Sequence, residues 1–154
     1  MTAINTRSNN KPNWKIKLLY DGECPLCVRE VNFLQKKDAG REIIKFVDIA
    51  DLDYKPQENA DIDFETAMGR IHAITNEGEV IKNVAVFRRV YEELGMGWIY
   101  AVTKLPILGA IADFLYNIWA DWRLQLTGRP NLETIMKKRK ESSNIEAGRC
   151  RLDK

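Results

Sequence analysis

The feature that most constrains the fold is a pair of cysteines placed between a predicted strand and a predicted helix. Residues 14–20 alternate apolar and polar side chains, which is typical of a strand. A turn at 21–23 follows, and Pro25 suits the first turn of a helix, where its missing N–H costs no hydrogen bond. Cys24 and Cys27 therefore lie at a helix start, three positions apart and on one side of the helix.

The predicted elements that follow the first strand and helix indicate an α/β fold. The first helix ends near Gly40, and a second strand at 42–49 completes a βαβ unit with parallel strands and a right-handed crossover. Asn83 is the predicted cap of a later helix, which ends at Gly95. The remaining predicted elements are a helix at 62–69, a strand at 71–75, a return strand at 79–82, and two helices at 98–104 and 106–126. The order β-α-β-α-β-β-α is that of a thioredoxin-like core, here with a C-terminal helical extension.

This order gives a predicted division of the chain. Residues 1–13 are expected to form a flexible N-terminal arm, and residues 14–126 the thioredoxin-like domain with its C-terminal helices. Residues 127–154 are expected to form a basic polar tail, since the part from Arg129 on has eight Lys/Arg and four Asp/Glu. The formal charge of the whole chain is only +2, so we expect no nucleic-acid partner.

The most apolar stretch, residues 96–122, is not predicted to cross a membrane. Lys104, Pro106 and Asp113 interrupt it, so it has no run of about 18 apolar residues. A buried helical hairpin is the expected structure. The alternative is a helix lying on a membrane surface, which three tryptophans would favour: Trp98, Trp119 and Trp122.

The cysteine count narrows the chemistry. The chain has three cysteines, and so small an odd number excludes a disulfide-stapled secreted scaffold. The first residues lack the apolar core of a signal peptide, so we expect a cytoplasmic location. In that compartment a close cysteine pair is usually catalytic or metal-binding.

The position of the pair predicts redox chemistry. Free N–H groups and the dipole at a helix start stabilise a thiolate, and they can lower a cysteine pKa from about 8.5 to between about 3.5 and 7.5. Cys24 is therefore the predicted nucleophile, and Cys27 the thiol that resolves a mixed disulfide at Cys24. Asp21 and Glu23 oppose the effect of the dipole on the pKa of Cys24. Asp21 is also a candidate proton acceptor for Cys27.

Other interpretations of the same residues remain open at this point. The pair could be two small buried side chains, or it could join His72 and Cys150 in a Cys₃His zinc site, although such sites usually draw on two close ligand pairs. His72 alone is expected to be a packed strand histidine, with proton transfer as the alternative. Cys150 is either incidental, a third resolving thiol or a link between two chains.

The same residues carry a resemblance to a known family. The stretch Leu19–Cys27 with Arg29-Glu30-Val31 resembles the opening of the DCC-type thiol-disulfide oxidoreductases, whose signature is Asp-x-x-Cys-x-x-Cys. The similarity continues to about residue 126, through these segments: Phe46–Ile49, Met68–Thr75 with His72, Gly78, Val84–Phe87 and Leu105–Tyr116. One departure from thioredoxins concerns their cis-proline before the third strand, because the nearest candidate here is Pro56, well before Ile71.

The resemblance implies a thioredoxin-like fold and dithiol-disulfide exchange through Cys24 and Cys27. The expected activity is that of a protein-disulfide reductase without a dissociable cofactor, reset by an external thiol or dithiol reductant. The expected partners are a disulfide-containing protein or a small thiol, with neither nucleic acid nor membrane, and the oligomeric state is not predicted. A function of a different class is also open: the protein could be a redox-inactive interaction domain that docks through its tryptophan-rich C-terminal helices.

Overall fold

The computed structural model describes residues 12–152, without the side chains of residues 102–104 and 146–152. Most of the predicted N-terminal arm and the Cys150 side chain therefore lie outside the described residues. Four strands form one sheet in the order β2-β1-β3-β4. The strands are β1 (Ile16–Tyr20), β2 (Ile44–Asp48), β3 (His72–Thr75) and β4 (Val80–Lys82). The described helices are α1 (Pro25–Asp38), α2 (Phe64–Gly69), α3 (Val84–Glu93), α4 (Pro106–Leu126) and α5 (Leu132–Leu152).

The sheet topology confirms the predicted thioredoxin-like α/β core. β1 and β2 run parallel, with Leu18 opposite Phe46, and α1 connects them. β3 runs antiparallel to β1, and β4 antiparallel to β3, as the predicted hairpin requires. Because α1 begins directly after β1, the loop between them lies at the carboxyl end of a central strand.

The core has two apolar layers, one on each face of the sheet. Ile16 and Leu18 pack with side chains of α1 and α3, such as Leu34 and Val86. Leu19 points to the opposite face because side chains alternate along a strand. It packs there with side chains of α2 and α5: Phe64, Ala67, Met68 and Ile135.

The start of α3 differs from the prediction. Asn83 occupies the N-cap position, but its side chain makes no capping hydrogen bond, and its φ is 59°. Asp113 of α4 takes over part of that role, since its Oδ1 accepts from the backbone N–H of Val84 at 3.4 Å. The acidic residue that interrupts the apolar stretch thus ties α4 to the helix before it.

The apolar stretch also differs from the expected buried hairpin. It forms a 3₁₀ segment at Gly97–Lys104 and the long helix α4. Only Tyr116, Ala120 and Arg123 of α4 are buried, and much of its apolar face is exposed. Trp98 and Trp122 are 77% and 59% exposed, so these two tryptophans do not belong to the core. Within the described residues, no helix is long and apolar enough to span a membrane.

The segment expected to be a basic tail contributes α5. Its first turn carries the buried Ile135, which packs on α2, and Arg139 lies 4.0 Å from the ring centre of Phe64. Arg139 also donates to the backbone oxygens of Ala50 and Asp51, at 3.2 and 2.8 Å. Part of the basic segment therefore packs on the body of the protein.

Candidate active site

The cysteine pair lies where the sequence places it, at the start of α1. Cys24 is the N-cap residue in extended conformation, and its Sγ accepts from the backbone N–H of Cys27 at 3.4 Å. Cys27 lies in the first turn of α1, where backbone N–H groups have no acceptor within the helix, so its N–H is free to make this bond. Cys24 thus does with sulfur what a capping Ser or Asp does with oxygen.

The two thiols are buried to different degrees. Both are free, but Cys24 is only 1% exposed, whereas Cys27 is partly exposed and faces a cavity. Cys27 is therefore the more exposed residue of the pair.

The electrostatics favour a thiolate at Cys24. A hydrogen bond from the Cys27 thiol lowers the pKa of Cys24 to about 6, helped by the Cys27 N–H and the Arg123 charge, while burial and Asp21 act to raise it. The same thiol hydrogen bond raises the pKa of Cys27, and burial raises it further. One proton is therefore shared unequally, with Cys24 ionised and Cys27 protonated near neutral pH.

Arg123 supplies the positive charge at the pair. It comes from α4, is 5% exposed, and its Nη1 lies 3.5 Å from the Sγ of Cys27. Its Nη2 donates to the backbone oxygen of Met68, and its buried Nε has no hydrogen-bond partner among the described residues. Arg123 is buried and contacts a backbone oxygen and a sulfur, so a nearby thiolate is well suited to balance its charge.

Asp21 is almost completely buried and engaged on both oxygens. Its side chain is 1% exposed, and Oδ2 forms an ion pair with Nη1 of Arg129, whose side chain is 12% exposed. Its Oδ1 accepts from the N–H of Glu23 at 3.0 Å. Arg129 also reaches the exposed Glu23 carboxylate, at 3.1 Å. These contacts fasten the loop before Cys24 to the segment that joins α4 and α5.

A hydrogen bond from the backbone of Gly22 also holds this loop in place. Its N–H donates to Oδ1 of Asp48 at 2.8 Å, and a Cβ at this position would lie only 1.8 Å from the other carboxylate oxygen. Asp48 ends β2 and also accepts from the N–H of Ala50 at 2.8 Å. A side chain at position 22 would therefore displace the Asp48 carboxylate from this bond.

The segment before β3 takes the place of the cis-proline loop of thioredoxins, and its backbone groups are already bonded. The described residues contain no cis peptide bond. The N–H of Ile71 donates to the Tyr116 hydroxyl at 2.9 Å, and its carbonyl accepts from the N–H of Asn83 at 3.3 Å. α4 therefore occupies a backbone group that could otherwise pair with an extended peptide.

His72 lies in β3 as a packed histidine. It is 4% exposed, its Nδ1 is 2.8 Å from the carbonyl of Arg70, and burial lowers its pKa. Within the described residues, no three His, Cys, Asp or Glu side chains form a group that could hold a metal ion, so Cys24, Cys27 and His72 do not make up three ligands of a zinc site.

Arg123 and Arg129 lie at the candidate site and are not predicted from the sequence. They lie 96 and 108 residues from their partners Cys27 and Asp21, so no local pattern connects them. One signal was present, because Arg123 is the one basic residue of the largely apolar helix α4, where an ionic side chain needs a partner.

Comparisons with known proteins bear on the family of this chain. A protein of Arabidopsis thaliana described as "Uncharacterized protein At5g50100, chloroplastic" is 51% identical over 142 residues, which are 92% of this chain and 66% of the relative. The chain thus spans slightly less than two thirds of that protein, whose name does not support the expected cytoplasmic location. No solved structure gives a significant match.

The DCC1-like thiol-disulfide oxidoreductases match residues 18–129, which include Cys24, Cys27, Arg123 and Arg129. This match confirms the resemblance, and the chain belongs to the DCC1-like thiol-disulfide oxidoreductase family.

Proposed function

We propose that the protein is a thiol-disulfide oxidoreductase, and specifically a disulfide reductase, whose redox centre is the Cys24–Cys27 pair. The observation that carries the proposal is the position of Cys24, a helix N-cap whose pKa is lowered to about 6 by Cys27 and Arg123. At neutral pH such a sulfur is mostly a thiolate, which is the nucleophile in thiol-disulfide exchange.

The proposed cycle transfers two electrons from the pair to a substrate disulfide. The Cys24 thiolate attacks one substrate sulfur, the substrate S–S bond breaks, and the other sulfur leaves as a thiolate that takes a proton. Cys27 then loses its proton and attacks Cys24 Sγ, which releases the second substrate thiol and leaves a Cys24–Cys27 disulfide. An external thiol or dithiol returns two electrons to this disulfide.

The contacts of Cys27 explain why it ionises only in the second step. Its pKa is raised first of all by the hydrogen bond that it donates to Cys24. That acceptor charge disappears once Cys24 is bound in a mixed disulfide, while the Arg123 guanidinium, 3.5 Å from Cys27 Sγ, remains to stabilise the second thiolate. Asp21 stays a proposed proton acceptor for Cys27, although both its oxygens are engaged.

The proposal includes no dissociable cofactor and no nucleic-acid or membrane partner. The substrate is a disulfide-containing protein or a small disulfide. The proposal requires a compartment that supplies a thiol reductant, and the cytoplasm is one such compartment.

The test is disulfide reduction by the protein and two variants, with Cys150→Ser as a control in the same chain. We expect Cys24→Ser to abolish turnover, and Cys27→Ser to accumulate a mixed disulfide at Cys24 that mass spectrometry detects. Cys150→Ser should keep the activity. Wild-type turnover by Cys24→Ser would overturn the proposal.

A second candidate function is a redox-inactive docking module. The observation that favours it is the exposed apolar face of α4, where Ile107, Phe114 and Trp122 are 77%, 65% and 59% exposed. This candidate predicts an ordinary cysteine pKa at Cys24, so a thiolate titration separates the two functions.

A further inference from the structure

A cavity of about 180 Å³ lies against Cys27 of the pair, between the sheet and residues of α1, α2, α3 and α4. Cys27 and Arg123 are part of its wall. The rest is mainly apolar, with Leu26, which lies between the two cysteines in sequence, and five aromatic residues: Tyr20, Phe87, Tyr100, Tyr116 and Trp119.

The aromatic wall is held in place by contacts among its own members. The ring centres of Phe87 and Tyr100 are 6.3 Å apart, those of Phe87 and Tyr116 are 6.1 Å apart, and those of Tyr116 and Trp119 are 5.8 Å apart. The Tyr116 hydroxyl is fixed in turn by the N–H of Ile71. The cavity is therefore formed before any ligand enters, which reduces the entropy lost on binding.

The wall of the cavity also contains polar side chains, among them Cys27, Arg123 and Glu30. The sulfur of Cys27 and the Arg123 guanidinium lie together, 3.5 Å apart. The Glu30 carboxylate also lines the cavity, with Oε1 bonded to the Tyr91 hydroxyl at 2.7 Å. A ligand that fits has an apolar body and a sulfur at the cysteine end.

We propose that this cavity binds the organic group of a low-molecular-weight disulfide, an aromatic ring or a branched aliphatic chain linked to sulfur through one or two carbons. The volume is appropriate, because an apolar cavity of about 150 Å³ binds benzene. The inference rests on the proposed function, and it names the substrate class of the same site.

The backbone next to the cavity favours a small molecule over an extended peptide. Both polar backbone groups of Ile71 are bonded within the protein, to Tyr116 and Asn83. The carbonyl of Arg70 is bonded to His72. A peptide laid beside β3 would find these three groups occupied, whereas a compact ring needs none of them.

The first experiment measures binding without redox chemistry. Benzyl alcohol is titrated into the Cys24→Ser/Cys27→Ser protein, with ethylene glycol as the polar control, and amide NMR shifts are recorded. We expect the amide signals of Ile71 and Tyr116 to shift saturably with benzyl alcohol and not with ethylene glycol. Absence of saturable shifts at these residues would overturn the proposal, whatever the outcome of the activity assays.

Two cavity variants and one matched variant locate the binding. Ala67→Met fills the cavity from α2, and Leu26→Trp narrows it from a position that is 40% exposed and therefore tolerant of change. Ala85→Met makes the same size change on α3, outside the cavity walls. We expect the first two to weaken benzyl alcohol binding at least tenfold and the third to leave it unchanged. Equal binding by all three would contradict the assignment.

The second experiment compares methyl and benzyl methanethiosulfonate on the Cys27→Ser/Cys150→Ser protein, in which Cys24 is the remaining thiol. The Cys24 thiolate forms a disulfide with the reagent's sulfur, the sulfur–sulfonyl bond breaks, and methanesulfinate leaves with the electron pair. We expect the benzyl-to-methyl rate ratio to exceed that of free glutathione at least tenfold, and to return to it in Ala67→Met. Equal ratios for protein and glutathione would overturn the proposal.

The outcomes separate this proposal from the proposed function. Benzyl alcohol binding without disulfide turnover would leave the cavity assignment standing and remove the redox cycle. Turnover without binding would do the opposite. A faster reaction with a phenylalanine-containing peptide disulfide than with dibenzyl disulfide would show that the ring belongs to a protein substrate, and would overturn the small-molecule assignment.

Discussion

Replacing Cys27 by alanine tests the physical origin of the low pKa of Cys24. The hydrogen bond from the Cys27 thiol is the largest influence that lowers this pKa to about 6. A hydrogen bond to a charged group contributes about 1.5–3 kcal/mol, and one pKa unit corresponds to about 1.36 kcal/mol. Cys27→Ala should therefore raise the pKa of Cys24 to between about 7 and 8.

The size of this change can be measured directly. At pH 7 the thiolate fraction at Cys24 should fall from about nine-tenths to between about one half and one tenth. The assay is the ultraviolet absorbance of the thiolate as a function of pH, in a Cys150→Ser background. Absorbance is preferable to an alkylation rate because a more basic thiolate is also intrinsically more nucleophilic, and because Cys24 is 1% exposed.

Serine is the matched control at the same position. Cys27→Ser keeps a hydroxyl donor and the backbone N–H that lies 3.4 Å from Cys24 Sγ, so its titration midpoint should stay near the wild-type value of about 6. A midpoint near 6 in Cys27→Ala, or an equal rise in both variants, would refute the reasoning.

Three further predictions concern groups around the pair. Arg123→Met removes a buried charge and should raise the pKa of Cys24 by about one, as the same absorbance titration measures. Asp21→Asn leaves the mostly buried Arg129 guanidinium with only the exposed Glu23 as a charged partner and should lower the free energy of unfolding by about 3 kcal/mol in urea, whereas Glu23→Gln, at a side chain that is 70% exposed, should cost less than about 1 kcal/mol. Burial lowers the pKa of His72, so the unfolded chain binds a proton more readily and stability should fall as the pH falls through 6.5. That slope should be smaller in His72→Gln, measured with the cysteine pair oxidised.

Each of these predictions has an outcome that contradicts it. An unchanged thiolate midpoint in Arg123→Met would remove this residue from the electrostatics of the site. Similar losses of stability in Asp21→Asn and Glu23→Gln would mean that burial does not distinguish the two carboxylates. An unchanged acid slope in His72→Gln would place the titrating group elsewhere.

The core could be predicted from the sequence because its signals are local. Alternating residues such as Ile16 and Leu18 define strands, and Pro25 marks the start of α1, so the position of Cys24 follows from a few neighbouring residues. The family resemblance depends on the same local motif, and the match over residues 18–129 confirms it.

The surroundings of the pair could not be predicted because they depend on how α4 packs. The sequence makes Tyr116 and Arg123 members of an apolar helix, and only tertiary structure brings one to Ile71 and the other to Cys27. Asn83 shows the same limit at the start of α3. Its residue type favours the N-cap position, but its side chain makes no capping hydrogen bond, and the carboxylate of Asp113 accepts from the Val84 N–H instead. Tertiary contacts override local preference at these positions.

The most direct test of the central claim is a redox titration of the cysteine pair. The protein is equilibrated with dithiothreitol or glutathione buffers of defined ratio, trapped with acid, and examined by mass spectrometry for a disulfide between Cys24 and Cys27. We expect one reversible two-electron transition at this pair, unchanged by Cys150→Ser. Failure of the disulfide to form at any buffer ratio would contradict the proposed redox role of the pair.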